Sequence, residues 1–196
     1  MKQLISPQLY RGRLKLSYVH DSAELESWVT LHTVHNDLMY EWGAVLQRLL
    51  RGAPDRYNYA VGGMYIEFDN SGGVVTPPTV TRGDAADYYG SLTGTQDYLR
   101  VPLTATAEGN SDTDTYALPN IGIFSAQTTG TQGVHGLEFS NAAGSRIYGA
   151  ALVIFRDPNT ADSDIVFARA YIDDADAQLQ KLTRSQIGLT WEAEFA

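Results

Sequence analysis

The stretch RSQIGLTWEAEFA (184–196) decides the fold class because its apolar and polar residues alternate. One side of this period-two pattern is apolar, with Ile187, Leu189, Trp191, Ala193 and Phe195, and the other holds Gly188, Thr190, Glu192 and Glu194. Such alternation predicts a half-buried β-strand. This strand can close a sheet of its own chain or add to the sheet edge of a neighbour, and its sequence leaves both open.

The rest of the chain from residue 57 onward has the same β character. Short alternating segments are separated by clusters of Gly, Asn, Asp and Pro, which is typical of an all-β body. Strands are predicted at 58–68, 97–104, 116–128, 134–140, 146–156, 165–172 and 186–195. The short loop after residue 156 predicts that 146–156 and 165–172 pair antiparallel. This number of strands predicts an antiparallel β-sandwich or jelly-roll-like body.

The N-terminal part of the chain has a different pattern of apolar residues. Alternation from Tyr10 to Tyr18 predicts a strand, and Asp21 with Glu24 forms a capping box for a helix. Apolar residues then recur at three- and four-residue spacing, which predicts one long helix over 22–51.

These patterns divide the chain into two parts. Residues 1–56 form an N-terminal strand and helical segment, and residues 57–196 form the β-sandwich body. Within the body, the segment 69–96 is too long and irregular for a hairpin turn, so we expect it to contact another molecule.

The composition excludes several function classes. The 196-residue chain has no cysteine, so it can form no disulfide and no thiolate metal site. Its net charge of −9 argues against nucleic-acid binding as the main task, since phosphate contact needs a basic face. No stretch is long and apolar enough for a signal peptide or a membrane span, which predicts a soluble, unprocessed protein with no membrane partner.

Basic residues are concentrated at the start of the chain. Lys2, Arg11, Arg13 and Lys15 all precede the first acid, Asp21. They form a possible basic docking segment for an acidic neighbouring subunit. The alternative is a solvated strand face, because these residues alternate with apolar ones.

Two groups of potential metal ligands are incomplete. His32 and His35 are one helical turn apart in the predicted helix, but a third and fourth ligand are missing from the segment. Asn110, Asp112 and Asp114 alternate as calcium ligands do, yet the glycine and glutamate of an EF-hand are absent. This stretch is a solvated loop tip or a calcium loop of another type. We therefore predict no metal and no cofactor.

Catalytic motifs are also lacking. The chain has neither a G-x-S-x-G elbow nor an H-E-x-x-H pair. Gly130, Gly133 and Gly136 predict a glycine-bearing β-turn, because no P-loop lysine follows them. Glu67 and Asp69 lie at strand spacing and are predicted on a wet face. The sequence therefore predicts a protein that is not an enzyme.

Aromatic residues provide the remaining candidates. Trp28, Trp42, Trp191 and Phe195 are predicted anchors that stay buried in the core or at an interface. A possible contact surface for a sugar or a protein combines aromatic and carboxylate side chains, namely Asp84, Asp87, Tyr88 and Tyr89.

Several segments together resemble a known class of protein. They are MYIEFDN (64–70), DYLRVPL (97–103), FSAQTTGTQGVHGLEFS (124–140), IYGAALV (147–153), DIVFARAYI (164–172) and SQIGLTWEAEF (185–195). Their overall texture resembles virion structural proteins of tailed bacteriophages, over most of the region from 57 to the end. No defining motif carries the likeness, and no catalytic residue comes with it.

This resemblance implies a non-enzymatic virion component that assembles in multiple symmetric copies near the neck or tail, as a collar, adaptor or tail protein. Its partners would be copies of itself and other virion proteins of the portal, neck, tail or capsid. The alternative is a carbohydrate- or receptor-binding β-sandwich module of a fibre, spike or capsid decoration.

Overall fold

The computed structural model describes residues 11–20, 29–35, 37–38, 41–50, 60–76, 85–108, 121–127, 132–139, 145–157, 159–172, 179–180 and 185–194. The strands are β1 (Arg11–His20), β2 (Val29–His35), β3 (Asp37–Leu38), β4 (Gly63–Asp69), β5 (Gln96–Glu108), β6 (Ile121–Gln127), β7 (Arg146–Ile154), β8 (Ile165–Tyr171), β9 (Leu179–Gln180) and β10 (Ser185–Glu194). The helices are α1 (Glu41–Leu50) and α2 (Ala85–Ser91). The prediction of a mainly β protein is confirmed. No helix within these ranges is long and apolar enough to cross a membrane.

The strands form one antiparallel sheet, and its order explains what holds the C-terminal strand. The order is β2-β1-β10-β6-β5-β4-β7-β8-β3, and β9 pairs with β7. β10 lies inside this order, because it pairs with β1 along its whole length and with β6 on the other side. Trp191 is in register with Leu14 on β1 and with Phe124 on β6. β10 therefore belongs to a sheet of its own chain, which is one of the two possibilities that its sequence left open.

The pairing of β1 with β10 bears on the predicted division of the chain at residue 56. That boundary lies outside the described residues, so the division stays a prediction. β1 belongs to the first part and β10 to the second, and the two are neighbours in the sheet. The N-terminal strand is therefore an integral part of the sheet.

β5 changes partners partway along its length. Residues 96–102 pair with β4, and the pairing with β6 begins at Leu103, with a register shift before Ala105. Pro102 lies at the changeover, where its missing N–H removes one ladder hydrogen bond. A strand that passes from one set of partners to another in this way turns a corner of the sheet.

The two ends of the sheet come together at one point. β2 ends at His35 and β3 begins at Asp37, yet they are the first and last strands in the order. Two trans peptide units span at most about 7.6 Å between Cα atoms. The sheet must therefore curl so that its first and last strands approach each other here.

The long helix predicted over 22–51 is wrong for 29–35 and 37–38, which form β2 and β3; only Glu41–Leu50 is helical within the described part of that range. The β2 sequence VTLHTVH is rich in Val and Thr, whose branched side chains favour strands. Pairing with β1 then overrides the three- and four-residue spacing on which the helix prediction relied.

The strand predicted over 134–140 is also wrong. Its described residues form a turn closed by a single bridge between Gln132 and Glu138. The N–H of Gly136 donates to the carbonyl of Gly133 at 3.1 Å, and Gly136 has a φ of 95°. This positive φ favours glycine, and the predicted glycine-bearing turn is confirmed over these residues.

Side chains of β4 alternate between two buried clusters. Met64, Ile66 and Phe68 join the main core, to which β10 contributes Trp191. Tyr65 points to the opposite face and packs in a second cluster with side chains of α2, including Tyr89. Both faces of β4 are therefore covered.

This double coverage contradicts the predicted wet face for Glu67 and Asp69. Glu67 is 0% exposed and Asp69 is 6% exposed. The alternation itself was read correctly, but α2 supplies the side chains that cover this second face. A carboxylate buried in this way needs a partner, because its desolvation costs several kcal/mol.

Candidate functional site

The partner of Glu67 is a guanidinium two strands away in the sheet. Arg169 on β8 donates from Nε to Glu67 Oε1 at 2.8 Å and from Nη2 to Oε2 at 2.6 Å. Arg169 is 3% exposed, so the whole pair is withdrawn from water. This two-point geometry is the strongest form of an ion pair, and it links β4 to β8 across β7.

Tyrosine side chains surround this ion pair. Tyr89 donates its hydroxyl to Glu67 Oε1 at 2.5 Å, and Tyr88 donates to Oε2 at 3.1 Å. The Arg169 guanidinium lies 3.4 Å from the centroid of the Tyr88 ring, which is cation–π contact. Because Tyr88 and Tyr89 both belong to α2, the helix is attached to the sheet through one carboxylate.

The environment keeps these tyrosines protonated. Burial, followed by the nearby Glu67 charge, raises the pKa of Tyr88 from 10.0 to about 12. Burial also raises the pKa of Tyr89 well above its ordinary value, again with Glu67 as the second cause. Both hydroxyls therefore remain donors to the carboxylate throughout the neutral range.

A cavity of about 390 Å³ opens beside this network. Its most polar and aromatic lining residues are Tyr65, Tyr89, Tyr98, His135, Asp162 and Asp164. The three tyrosine rings contact one another, with centroids 4.4–4.9 Å apart, and form a continuous floor. We call this space the tyrosine-floored cavity. Its volume lies within the usual range for small-molecule sites.

Asp164 is fixed at one side of the cavity by an arginine and a tyrosine. Arg100 donates to both carboxylate oxygens, at 2.6 and 3.0 Å, and Tyr65 donates its hydroxyl at 2.7 Å. The Arg100 guanidinium also stacks 3.6 Å from the Phe155 ring centroid. The negative charge of Asp164 is therefore balanced by Arg100, and the Asp164 side chain is only 1% exposed.

Asp97 holds another part of the cavity wall in place. Its buried carboxylate accepts the backbone N–H groups of Tyr98 at 2.8 Å, His135 at 3.0 Å and Leu137 at 3.0 Å. Gly133 packs directly on this carboxylate, so that an added Cβ would overlap with it. Asp97 therefore fixes the turn that carries the cavity residues Val134 and His135.

The structure brings together only some of the residues singled out from the sequence. Trp191 is fully buried in the main core, and Tyr88 and Tyr89 lie in the ion-pair network. Trp42 and Asp87 lie on helices, and Arg11, Arg13 and Lys15 lie on β1, but for these only the backbone is described. Outside the described residues are Lys2, Trp28, Asp84, Phe195, Asn110, Asp112 and Asp114.

The central charged residues of the site were missed. The sequence predicts Glu67 on a wet face and gives no prediction for Arg169, Asp97, Arg100 and Asp164. One signal was available, because Arg169 interrupts the otherwise apolar strand IVFARAY. A charge within such a strand needs a buried partner of opposite charge.

Comparisons with protein-family models, curated proteins and solved structures find no match for this chain. Within the described ranges, no group of three His, Asp or Glu side chains is placed to hold a metal ion. What the site offers is a set of fixed tyrosines, two carboxylates and a histidine around an open cavity, which is chemistry suited to binding.

Proposed function

We propose that this chain is a non-enzymatic structural component of a tailed-bacteriophage virion, assembling in multiple symmetric copies near the neck or tail as a collar, adaptor or tail protein. In the virion it would contact copies of itself and proteins of the portal, neck, tail or capsid. The sequence texture supports the class of protein. The observation that supports assembly is the position of β2 in the sheet.

β2 is the first strand in the sheet order, and among the described strands it pairs only with β1. It runs from Val29 to His35, which is long enough to align a second strand. Unpaired N–H and C=O groups on such an edge are a template for a strand from another chain. The opposite end of the order is β3, which has only two residues. We therefore assign the self-contact to β2.

The finer architecture that we propose is a β-sandwich of the jelly-roll-like type. Two features support it: β5 leaves β4 for β6 partway along, and the two ends of the sheet meet between His35 and Asp37. In addition, Trp191 of β10 shares a buried cluster with Met64 of β4, although β6 and β5 separate these strands in the sheet. Contact between distant strands is expected where two layers face each other.

Assembly through β2 can be tested with paired proline substitutions. Neighbouring strand residues direct their N–H groups to opposite sides, so Thr33→Pro and Val34→Pro remove N–H groups facing different directions. The substitution on the outward side should leave the fold intact and convert the oligomer to a monomer. The substitution on the inward side should damage pairing with β1. An oligomer that survives in both folded variants would refute self-contact at β2.

A second candidate is a carbohydrate- or receptor-binding module, and the tyrosine-floored cavity favours it. The contact surface predicted from the sequence includes Tyr88 and Tyr89 and requires them to be accessible to a ligand. Instead, Tyr89 is only 4% exposed and its hydroxyl is bound to Glu67, so it offers no wide face for stacking. A ligand of this module would enter the cavity, where Tyr89 contributes to the floor.

A further inference from the structure

We propose that the tyrosine-floored cavity binds a primary ammonium group carried on a small organic ligand. The proposal deepens the binding-module candidate by naming the chemical group that the site selects. It is independent of self-contact at β2, so either can fail without the other.

The first support is the charge around the cavity. Four carboxylates lie on or directly behind its lining, and two guanidinium groups accompany them: Glu67, Asp97, Asp162 and Asp164, with Arg100 and Arg169. Each guanidinium is committed to one carboxylate by two hydrogen bonds. Among the described residues, Asp97 and Asp162 therefore have no guanidinium partner, and the described surroundings of the cavity carry excess negative charge.

The two remaining carboxylates act differently. Asp97 is buried and satisfied by backbone N–H groups, so it contributes a fixed negative potential behind His135. Asp162 is exposed at the cavity, and the only contact described for it is made by its backbone N–H, which donates to Thr160. Its carboxylate is thus available to a ligand. A cation at this position gains from both charges, whereas an anion is repelled by both.

The second support is the shape of the lining. Tyr65, Tyr89 and Tyr98 are only 2–4% exposed, so they close the bottom of the cavity but present little ring face. Val134 is 40% exposed and adds an apolar wall next to His135. This combination suits a compact charged head on a short apolar stem. It does not suit a sugar that depends on broad stacking, and so we assign recognition to the ammonium group.

The same ammonium chemistry occurs in an amino sugar and in a lysine side chain, and matched probes separate these sources. We would titrate the ¹⁵N-labelled full chain with glucosamine and with glucose. In parallel we would titrate it with Nα-acetyl-lysine methylamide and with the same compound acetylated on Nε. Within each pair the molecular frame is kept while the positive charge is removed. Amide shifts at His135, Asp162 and Gly90 would report binding at the cavity.

The matched variants are Asp162→Asn and Glu138→Gln. Both remove one exposed carboxylate charge, but Glu138 does not line the cavity. We expect Asp162→Asn to weaken binding of the charged probe by roughly fivefold, because an ion pair near the surface contributes about this much to affinity. We expect Glu138→Gln to leave the affinity unchanged. Circular dichroism would establish that both variants are folded.

Binding of glucosamine alone supports the proposal with an amino sugar as the source, and binding of the lysine derivative alone supports it with a protein side chain. Equal binding of glucose and glucosamine overturns the proposal in favour of neutral saccharide recognition. The proposal is also overturned if neither charged probe shifts these amide signals at concentrations up to about 50 mM, where even weak binding would be detected. An Asp162→Asn variant that binds as tightly as the original chain has the same consequence.

Discussion

Removing the charge of Glu67 should destabilise the protein more than its small change in shape suggests. Glu67→Gln keeps the size of the side chain but leaves the Arg169 guanidinium buried without its counter-charge. It also weakens the bonds from Tyr88 and Tyr89, because both hydroxyls now meet a neutral group. The loss therefore involves four close hydrogen bonds at a side chain that is 0% exposed.

The expected magnitude follows from this burial. Leaving one member of a buried pair without its partner costs about 3–5 kcal/mol. Whole domains have a free energy of unfolding of about 5–15 kcal/mol, so the variant should lose a large share of its stability. Urea denaturation followed by circular dichroism measures this as a lower midpoint at an unchanged slope.

A double variant provides the control. Glu67→Leu with Arg169→Met replaces both charges by apolar groups, and such replacements of a buried pair are often close to neutral. We expect the double variant to be more stable than Glu67→Gln, because no unpaired charge remains. Two results would refute the reasoning: a loss below about 1 kcal/mol in Glu67→Gln, or a double variant as unstable as the sum of its single changes.

Three further predictions concern the core, the turn and the tyrosines. Trp191→Ala should reduce the free energy of unfolding by about 3–5 kcal/mol, measured in urea, and a change below about 1 kcal/mol would contradict the burial of β10. Asp97→Asn should loosen the turn that follows Gly133, seen as faster amide exchange at His135 and Leu137, and unchanged exchange would show that the carboxylate does not hold it. Because the folded state raises the pKa of Tyr88 and Tyr98 from 10.0 to about 12, their contribution is complete below pH 10 and is lost as pH rises through 12. Urea midpoints should therefore fall above pH 10, and a midpoint that stays constant up to pH 12 would contradict the burial of these hydroxyls.

The strands were the part of the fold most open to sequence reasoning. β1, β4, β5, β6, β7, β8 and β10 overlap the predicted segments, and the pairing of β7 with β8 is as expected. Their alternation and their turn residues are local signals, which a single sequence carries. β2 was predicted as helix because Val29, His32 and His35 recur at three-residue spacing, and its pairing with β1 makes this segment a strand.

The site depended on contacts that sequence spacing does not carry. Glu67 and Arg169 are far apart in the chain, and the tyrosines that enclose them come from α2, in a segment predicted only as an irregular excursion. The alternation correctly put Glu67 opposite Met64 and Ile66, but it could not show that α2 covers this second face. Of the three floor tyrosines, the sequence analysis singles out Tyr89 as part of a contact surface, whereas its contacts with Tyr65 and Tyr98 in a buried floor follow only from the packing.

Assembly into symmetric copies is tested most directly by the absolute mass in solution, measured by light scattering after size exclusion. Proposed self-contact at β2 predicts one discrete oligomer, a whole-number multiple of 21.5 kDa, that becomes a folded monomer in the outward-facing proline variant. A folded 21.5 kDa monomer at every concentration tested, in both the original chain and that variant, would contradict it.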